Sequence, residues 1–185
     1  MRIIAWDLEC SNLSGMMGRI LCCGFKQIVD PNLKVDLKPY VFRGDEKRFK
    51  HTRDLADDGD LAVAIRDELE KFDVLIAHNG KLFDRKFLNS RLMKAGERPL
   101  RSTFFIDPMW IVRSHLRTSS KLDNIQQFLG LEDAKTKITW DNWMRAMGFD
   151  RKAMDVIVEH VTQDVLVLEE AYWRLLPNMR TISRA

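Results

Sequence analysis

The apolar positions change period along the chain, and the changes mark its elements. Ile3-Ile4-Ala5-Trp6-Asp7-Leu8-Glu9 opens with a near-continuous apolar run, the pattern of a strand buried on both faces. Arg19 to Val29, with Cys22, Cys23, Gly24 and Phe25 inside it, predicts a second strand, and Asp30-Pro31-Asn32 a turn. Val35 to Phe42 predicts a third, joined to the second as an antiparallel hairpin. Arg43 to Gly59 is polar and basic and predicts an exposed excursion. It leads into a helix capped by Asp60, with Leu61, Ile65 and Leu69 as the buried stripe. Asp73 to Ala77 and Phe104 to Asp107 are short apolar runs of the parallel-strand kind. Helices are predicted over Lys81 to Ala95, Pro108 to His115, Lys121 to Leu129 and Trp140 to Met147. A last and longest one is capped by Asp150 and ends near Pro177.

Three strands before any helix, then strand and helix in alternation, then a helical end, define an α/β fold. The order predicts the ribonuclease H-like architecture: a mixed five-stranded sheet, three antiparallel strands followed by parallel βαβ elements, flanked by helices. No repeat, low-complexity segment or Pro/Gly/Ser linker divides the chain, so residues 1–185 are expected to form a single domain. With 45% hydrophobic and 31% charged residues, such a domain buries a core without staples. The cysteines, Cys10, Cys22 and Cys23, are odd in number, include a vicinal pair and lack zinc-site spacing. Reduced thiols are expected, Cys22 and Cys23 on opposite faces of their strand. No signal peptide or membrane-length apolar run is present, which adds up to an expectation of a cytoplasmic protein with no membrane partner. A net charge of +3 permits a polyanionic partner without requiring one.

Candidate chemistry begins at the end of the first strand. Asp7 and Glu9 project from one face, roughly 7 Å apart along the chain. Two carboxylates at the end of a buried strand repel one another and lose hydration, and a divalent metal between them relieves both costs. The alternative for the pair alone is a solvated strand-to-loop junction. Asp84, after His78-Asn79-Gly80-Lys81-Leu82-Phe83, is explained by the helix dipole, yet it is also in register with Leu88, Leu92 and Ala95, the sheet-facing positions. In the final helix the stripe Ile157, Val161, Val165, Leu168, Tyr172 and Leu175 contains Asp164, and His160 stands one turn before it. A carboxylate in an apolar stripe needs a partner, either an ion pair or a metal. Asp155, Glu159, Glu169 and Glu170 fall off the stripe as solvated acids. Asp107 and Asp123 are expected to serve as helix-start acids outside any site.

These residues resemble a known set. Asp7-Leu8-Glu9, His78 to Asp84 and His160 to Asp164 are similar, in order and over nearly the whole chain, to the three motifs of the DEDD, or DnaQ-like, 3′–5′ exonucleases. Within that superfamily the chain most resembles predicted exonucleases of bacteria and phages. The resemblance implies an RNase H-like fold and two Mg²⁺ or Mn²⁺ ions held by Asp7, Glu9, Asp84 and Asp164. Asp7 would bridge the ions, Glu9 and Asp164 would serve the one on the water side, and Asp84 the other. One departure stands out. The spacing is that of the branch with a tyrosine four residues before the final acid, but the residue is His160, about 40° round the helix from Asp164. An imidazole can take a proton from an attacking water where a phenol mainly orients it.

The implied substrate is a single-stranded 3′ end, DNA favoured over RNA. Leu13, Met16 and Met17 follow the first motif, where the family places apolar side chains against the terminal base. Asn79 belongs to the second motif. The cations Lys94, Arg98, Arg101, Arg113, Arg117 and Lys121 form a run that either solvates a face or tracks a phosphate backbone, with Arg113 and Arg117 as candidate contacts. Trp140 and Trp143 share a helical face, which favours core packing over base stacking. His51, His78 and His115 are scattered and make no zinc site. Two other readings compete with the exonuclease: an RNase H-like endonuclease, and a catalytically silent nucleic-acid-binding module on the same fold.

Overall fold

The computed structural model describes residues 1–33, 35–49, 57–131, 138–178 and the backbone of 183–184; Lys50, His51 and Arg53 of the predicted basic excursion lie outside the described residues. The strands are β1 (Ile3–Cys10), β2 (Ile20–Ile28), β3 (Tyr40–Arg43), β4 (Val74–Ile76), β5 (Phe104–Ile106) and β6 (Ser183–Arg184). They form one sheet in the order β3-β2-β1-β4-β5-β6. β1, β2 and β3 are antiparallel, while β4 pairs parallel with β1 and β5 parallel with β4. This is the expected α/β arrangement. The short β6 adds an antiparallel pairing to the edge of β5, too brief to carry a period in the sequence.

The helices are α1 (Gly59–Leu69), α2 (Asp84–Lys94), α3 (Pro108–His115), α4 (Leu122–Phe128), α5 (Trp140–Met147) and α6 (Arg151–Leu175). Strand alternation sorts β1 between two cores. Ile4, Trp6 and Leu8 pack with Leu61, Ile65, Leu88 and Leu92 of α1 and α2. Ile3 and Ala5 pack with Ile76, Leu168 and Tyr172 on the α6 side. Asp7 and Glu9 continue the second set. Cys22 and Cys23 divide in the same way, Cys22 toward α5 and α6 and Cys23 toward α1 and α2, and both are buried free thiols.

Several sequence expectations are corrected. β3 covers Tyr40–Arg43, not Val35 to Phe42. Asp36 and Leu37 are drawn instead to the buried Lys26, whose Nζ lies 3.1 Å from Asp36 Oδ1 and donates to the Leu37 carbonyl. The residue before α1 is Asp58, not Asp60, and its side chain makes no cap bond because Arg91 occupies it at 2.6 Å. α2 begins at Asp84 rather than Lys81, since residues 79–83 form a tight turn with Asn79 in the left-handed region (φ 56°). Ala95 is exposed, so the sheet-facing stripe of α2 stops at Leu92. The polar excursion before α1 is not wholly exposed, because Phe49 enters the core. Trp140 does not share the packing of Trp143: it is 77% exposed while Trp143 joins the α5–α6 core. Asp155 and Glu169 do more than solvate α6, pairing with Arg43 at 2.6 Å and Lys26 at 3.2 Å.

α6 starts with the Asp150 carboxylate accepting from Ala153 N–H at 2.9 Å. Its apolar stripe is buried as predicted, each large side chain contributing about 1.5–3 kcal/mol. It meets the sheet at Gly24, where a Cβ would stand 3.0 Å from both Val161 Cγ2 and the Val161 carbonyl oxygen. Gly24 is the β2 partner of Asp7. Gly24→Ala is expected to destabilise the fold by about 1–3 kcal/mol. Adding Val161→Ala should recover only part of that loss, because the backbone oxygen remains. Urea denaturation of the single and double variants checks this.

Candidate active site

Three parts of the fold deliver the predicted acids and His160 to one end of the sheet. β1 brings Asp7 and Glu9 on the α6 side, where its pairing partner β4 has already ended at Ala5↔Ile76. α6 brings His160 and Asp164 one turn apart. The ligand atoms of Glu9, His160 and Asp164 all lie within 4.8 Å of one another. His160 Nε2 stands 3.8 Å from Glu9 Oε1 and 3.6 Å from Asp164 Oδ2, so the imidazole lies between an acid of the strand and an acid of its own helix. The turn after β4 brings Asp84, whose Oδ1 accepts the Leu8 N–H at 3.2 Å. That amide lies just beyond the end of the β1–β4 ladder, and the carboxylate closes it.

Asp84 is fully enclosed. Burial foremost, with the charge of Asp107 adding to it, raises its carboxyl to about 7 against the pull of its own amide and that of Leu8. The Cys10 thiol is pushed up to about 12 by burial first, then by the carboxylates of Glu9, Asp84 and Asp7. Cys10 thus lies within reach of the field of all three acids and is held as an unreactive thiol. Asp7 and Asp84 lie outside the 4.8 Å group, which among the described residues joins two of the four candidate acids to His160.

The donor set fits a divalent cation. Carboxylates gather here against their mutual repulsion, and the most buried of them is driven toward its neutral form when no cation balances it. Oxygen donors suit Mg²⁺ or Mn²⁺, and one imidazole among them suits Mn²⁺ well.

The candidate substrate contacts are distributed unevenly. Leu13, Met16 and Met17 are 83%, 78% and 75% exposed on the loop that leaves β1 after Cys10. Asn79 acts through its backbone: its left-handed conformation makes the turn, and its N–H donates to Asp107 Oδ1 at 2.9 Å. Arg113 is exposed, donates from Nε to Ser120 Oγ at 3.0 Å and lies over the Trp110 ring, while its charge lowers the Asp107 carboxyl. Arg117 is exposed in the turn after α3. Arg98 and Arg101 both pair with Glu70, at 2.6 and 3.2 Å, beside the N-terminal ends of β4 and β5 and away from the acids.

Asp107 is the residue that sequence reasoning set aside. It does start α3, accepting from Met109 N–H at 3.0 Å, but it also receives Asn79 and is close enough to Asp84 to raise it. Burial lifts its own carboxyl to about 6. Its signal was present in the chain, because Phe104-Phe105-Ile106-Asp107 repeats the β1 pattern of an apolar parallel strand ending in an acid.

Asp84 produces a pH dependence of definite sign. A carboxyl at about 7 when folded and 3.8 when unfolded binds a proton more tightly in the native state. Its contribution is therefore most favourable below the unfolded value and is lost as pH rises through about 7. Asp84→Asn removes that loss, on the order of 4 kcal/mol at high pH. The metal-free variant is expected to melt several degrees above wild type near pH 8 and close to it near pH 4, as measured by calorimetry. Added Mn²⁺ should narrow the difference by stabilising wild type more.

A family model described as RNase_H superfamily matches residues 6–176. A comparison with curated proteins yields no match. Among solved structures the chain is similar to the family B DNA polymerase from the hyperthermophilic archaeon Pyrobaculum calidifontis. The TM-score is 0.68 at 17% identity, over 95% of this chain and 24% of the polymerase. The chain therefore spans about a quarter of that polymerase's length, and at this identity the likeness concerns the fold. No helix among the described residues is long and apolar enough to cross a membrane.

Proposed function

The chain belongs to the RNase_H superfamily, which supports a nuclease with a nucleic-acid substrate, and on that premise we propose a metal-dependent 3′–5′ exonuclease of the DEDD type acting on single-stranded ends, DNA in preference to RNA. The observation that carries the proposal is the meeting of Glu9, His160 and Asp164 within 4.8 Å, beside the face of Asp7 and the buried Asp84. A silent binding module has no physical reason to hold these acids together against their repulsion. The match over residues 6–176 also favours reading 1–185 as one such domain.

In this reading Asp7, Glu9, Asp84 and Asp164 hold two Mg²⁺ or Mn²⁺ ions. When bound, such ions activate a water and neutralise charge on the scissile phosphate. The remaining work falls to the chain's own residues. His160, on the Glu9–Asp164 side, orients the attacking water and accepts its proton at Nε2. The Asp164 carboxyl group, one turn along the helix and 3.6 Å from Nε2, stabilises the imidazolium that results. The Leu8 amide and the α2 N-terminus hold Asp84 in place. Leu13, Met16 and Met17 offer an apolar surface for the terminal base, and Arg113 and Arg117 offer cations for the strand behind it.

The test is digestion of a 5′-labelled single strand, as DNA and as RNA, with Mg²⁺ or Mn²⁺. A descending ladder of products, abolished by Asp164→Ala and by chelator, is the expected result, whereas internal fragments would indicate an endonuclease. His160→Ala should keep strand binding and lower kcat about 10²- to 10⁴-fold. Wild type that binds the strand but leaves it intact overturns the proposal.

A further inference from the structure

The loop between β1 and β2 presents three large apolar side chains to solvent yet is held firmly from beneath. Its root is closed by Ser11 N–H to the Arg19 carbonyl at 3.0 Å and by Arg19 N–H to Ser11 Oγ at 3.0 Å. Its tip turns on the Ser14 carbonyl, which accepts from Met17 and Gly18 N–H at 3.1 and 2.7 Å. Below it lies an ion pair that the proposed chemistry does not use. Arg91 is 2% exposed and Asp58 5%, and Nε and Nη2 of the arginine donate to the carboxylate at 2.6–2.9 Å.

Each partner of the pair also reaches the loop. Arg91 Nη1 donates to the Gly15 carbonyl at 3.2 Å, and Asp58 Oδ2 accepts the N–H of Ile20, where the loop enters β2, at 2.6 Å. Gly15 rests directly on α2: a Cβ there would stand 2.7 Å from Ser90 Cβ. α2 is the helix that opens with Asp84, so Arg91 lies two turns along the same rod from a proposed metal ligand. A loop tied at its tip and exit to that rod keeps its apolar face at one height relative to the acids.

We propose that the buried Asp58–Arg91 pair, with Gly15 seated on Ser90, is a positioning clamp that fixes Leu13, Met16 and Met17 against the end of a single-stranded nucleic acid; this rests on the exonuclease reading for the identity of the substrate. Burying an ion pair is a poor way to gain stability, but its fork of hydrogen bonds imposes one geometry. Three exposed apolar side chains on a pinned loop are preorganised for contact with an unpaired base.

The test moves the loop without breaking the ion pair. Gly15→Ala places a methyl group against Ser90 Cβ, Ser90→Gly removes that obstacle, and Ser90→Ala does not. Binding of a fluorescent oligothymidylate is measured by anisotropy without divalent metal, and KM and kcat are measured with Mn²⁺. Gly15→Ala is expected to bind about ten-fold more weakly, with KM raised and kcat within about two-fold. Ser90→Gly in the same chain should restore wild-type binding, and Ser90→Ala should not. Arg91→Lys, which keeps the charge but loses the fork, should resemble Gly15→Ala. Unchanged binding by Gly15→Ala, equal rescue by both Ser90 variants, or a fall in kcat with KM unmoved would overturn the clamp. If wild type fails to cleave while binding follows the expected pattern, the exonuclease reading falls and the clamp stands. If wild type does not bind the strand, the clamp falls as well.

Discussion

The contact between Gly24 and Val161 lets a helix backbone lie against a strand, and the geometry of the candidate site depends on it. Gly24 pairs with Asp7, so the absent side chain is beside the first acid. One helical turn to either side of this region, α6 carries apolar residues that reach the sheet. Asp164 and His160 flank Val161 and are thereby lowered toward Glu9. A larger residue in place of Gly24 would part the two groups of acids before it affected either alone.

Close approach also concentrates negative charge. Asp84 is enclosed and lifted to about 7, and Asp107 is lifted to about 6, both chiefly by loss of water. Such groups by themselves weaken the fold, and the divalent ion proposed for this site would reverse the balance. Stability and function therefore oppose one another at this end of the sheet, as expected of a site that holds charge in readiness. The opposite end shows the contrast. There Glu70 is matched by Arg98 and Arg101, and its carboxyl is held down to about 2 by Arg98 foremost.

Helix α2 links the two halves of the proposed machinery. Its first residue is the buried acid, and two turns later it holds the loop that carries the exposed apolar side chains. The turn before it is fixed by Asn79, whose amide is bound by Asp107, so β4, β5 and α2 share one short network. Among the residues of that network only Asn79 and Asp84 belong to the motif legible in the chain.

Much of the fold could be read from periodicity. The buried β1, the stripe of α6 with Asp164 inside it, and the order of strands followed by alternating elements are local patterns, and local backbone geometry enforces them. The candidate acids Asp7, Glu9, Asp84 and Asp164 were visible because carboxylates at strand ends or in apolar stripes break those patterns. The shortened β3, the start of α1 directly after an Asp58 that does not cap it, the exposed Trp140 and the pairing of Arg98 and Arg101 with Glu70 were not visible. In each case a partner distant in sequence took the side chain, as Arg91 took Asp58, or left it without a surface to cover, as with Trp140. The sequence by itself determined which residues carry charge and which face of each element they occupy, because that follows from the repeat of helix and strand. Only the tertiary structure decided which charges meet, because side chains as far apart in the chain as Glu9 and His160 are brought together by packing and not by any local period.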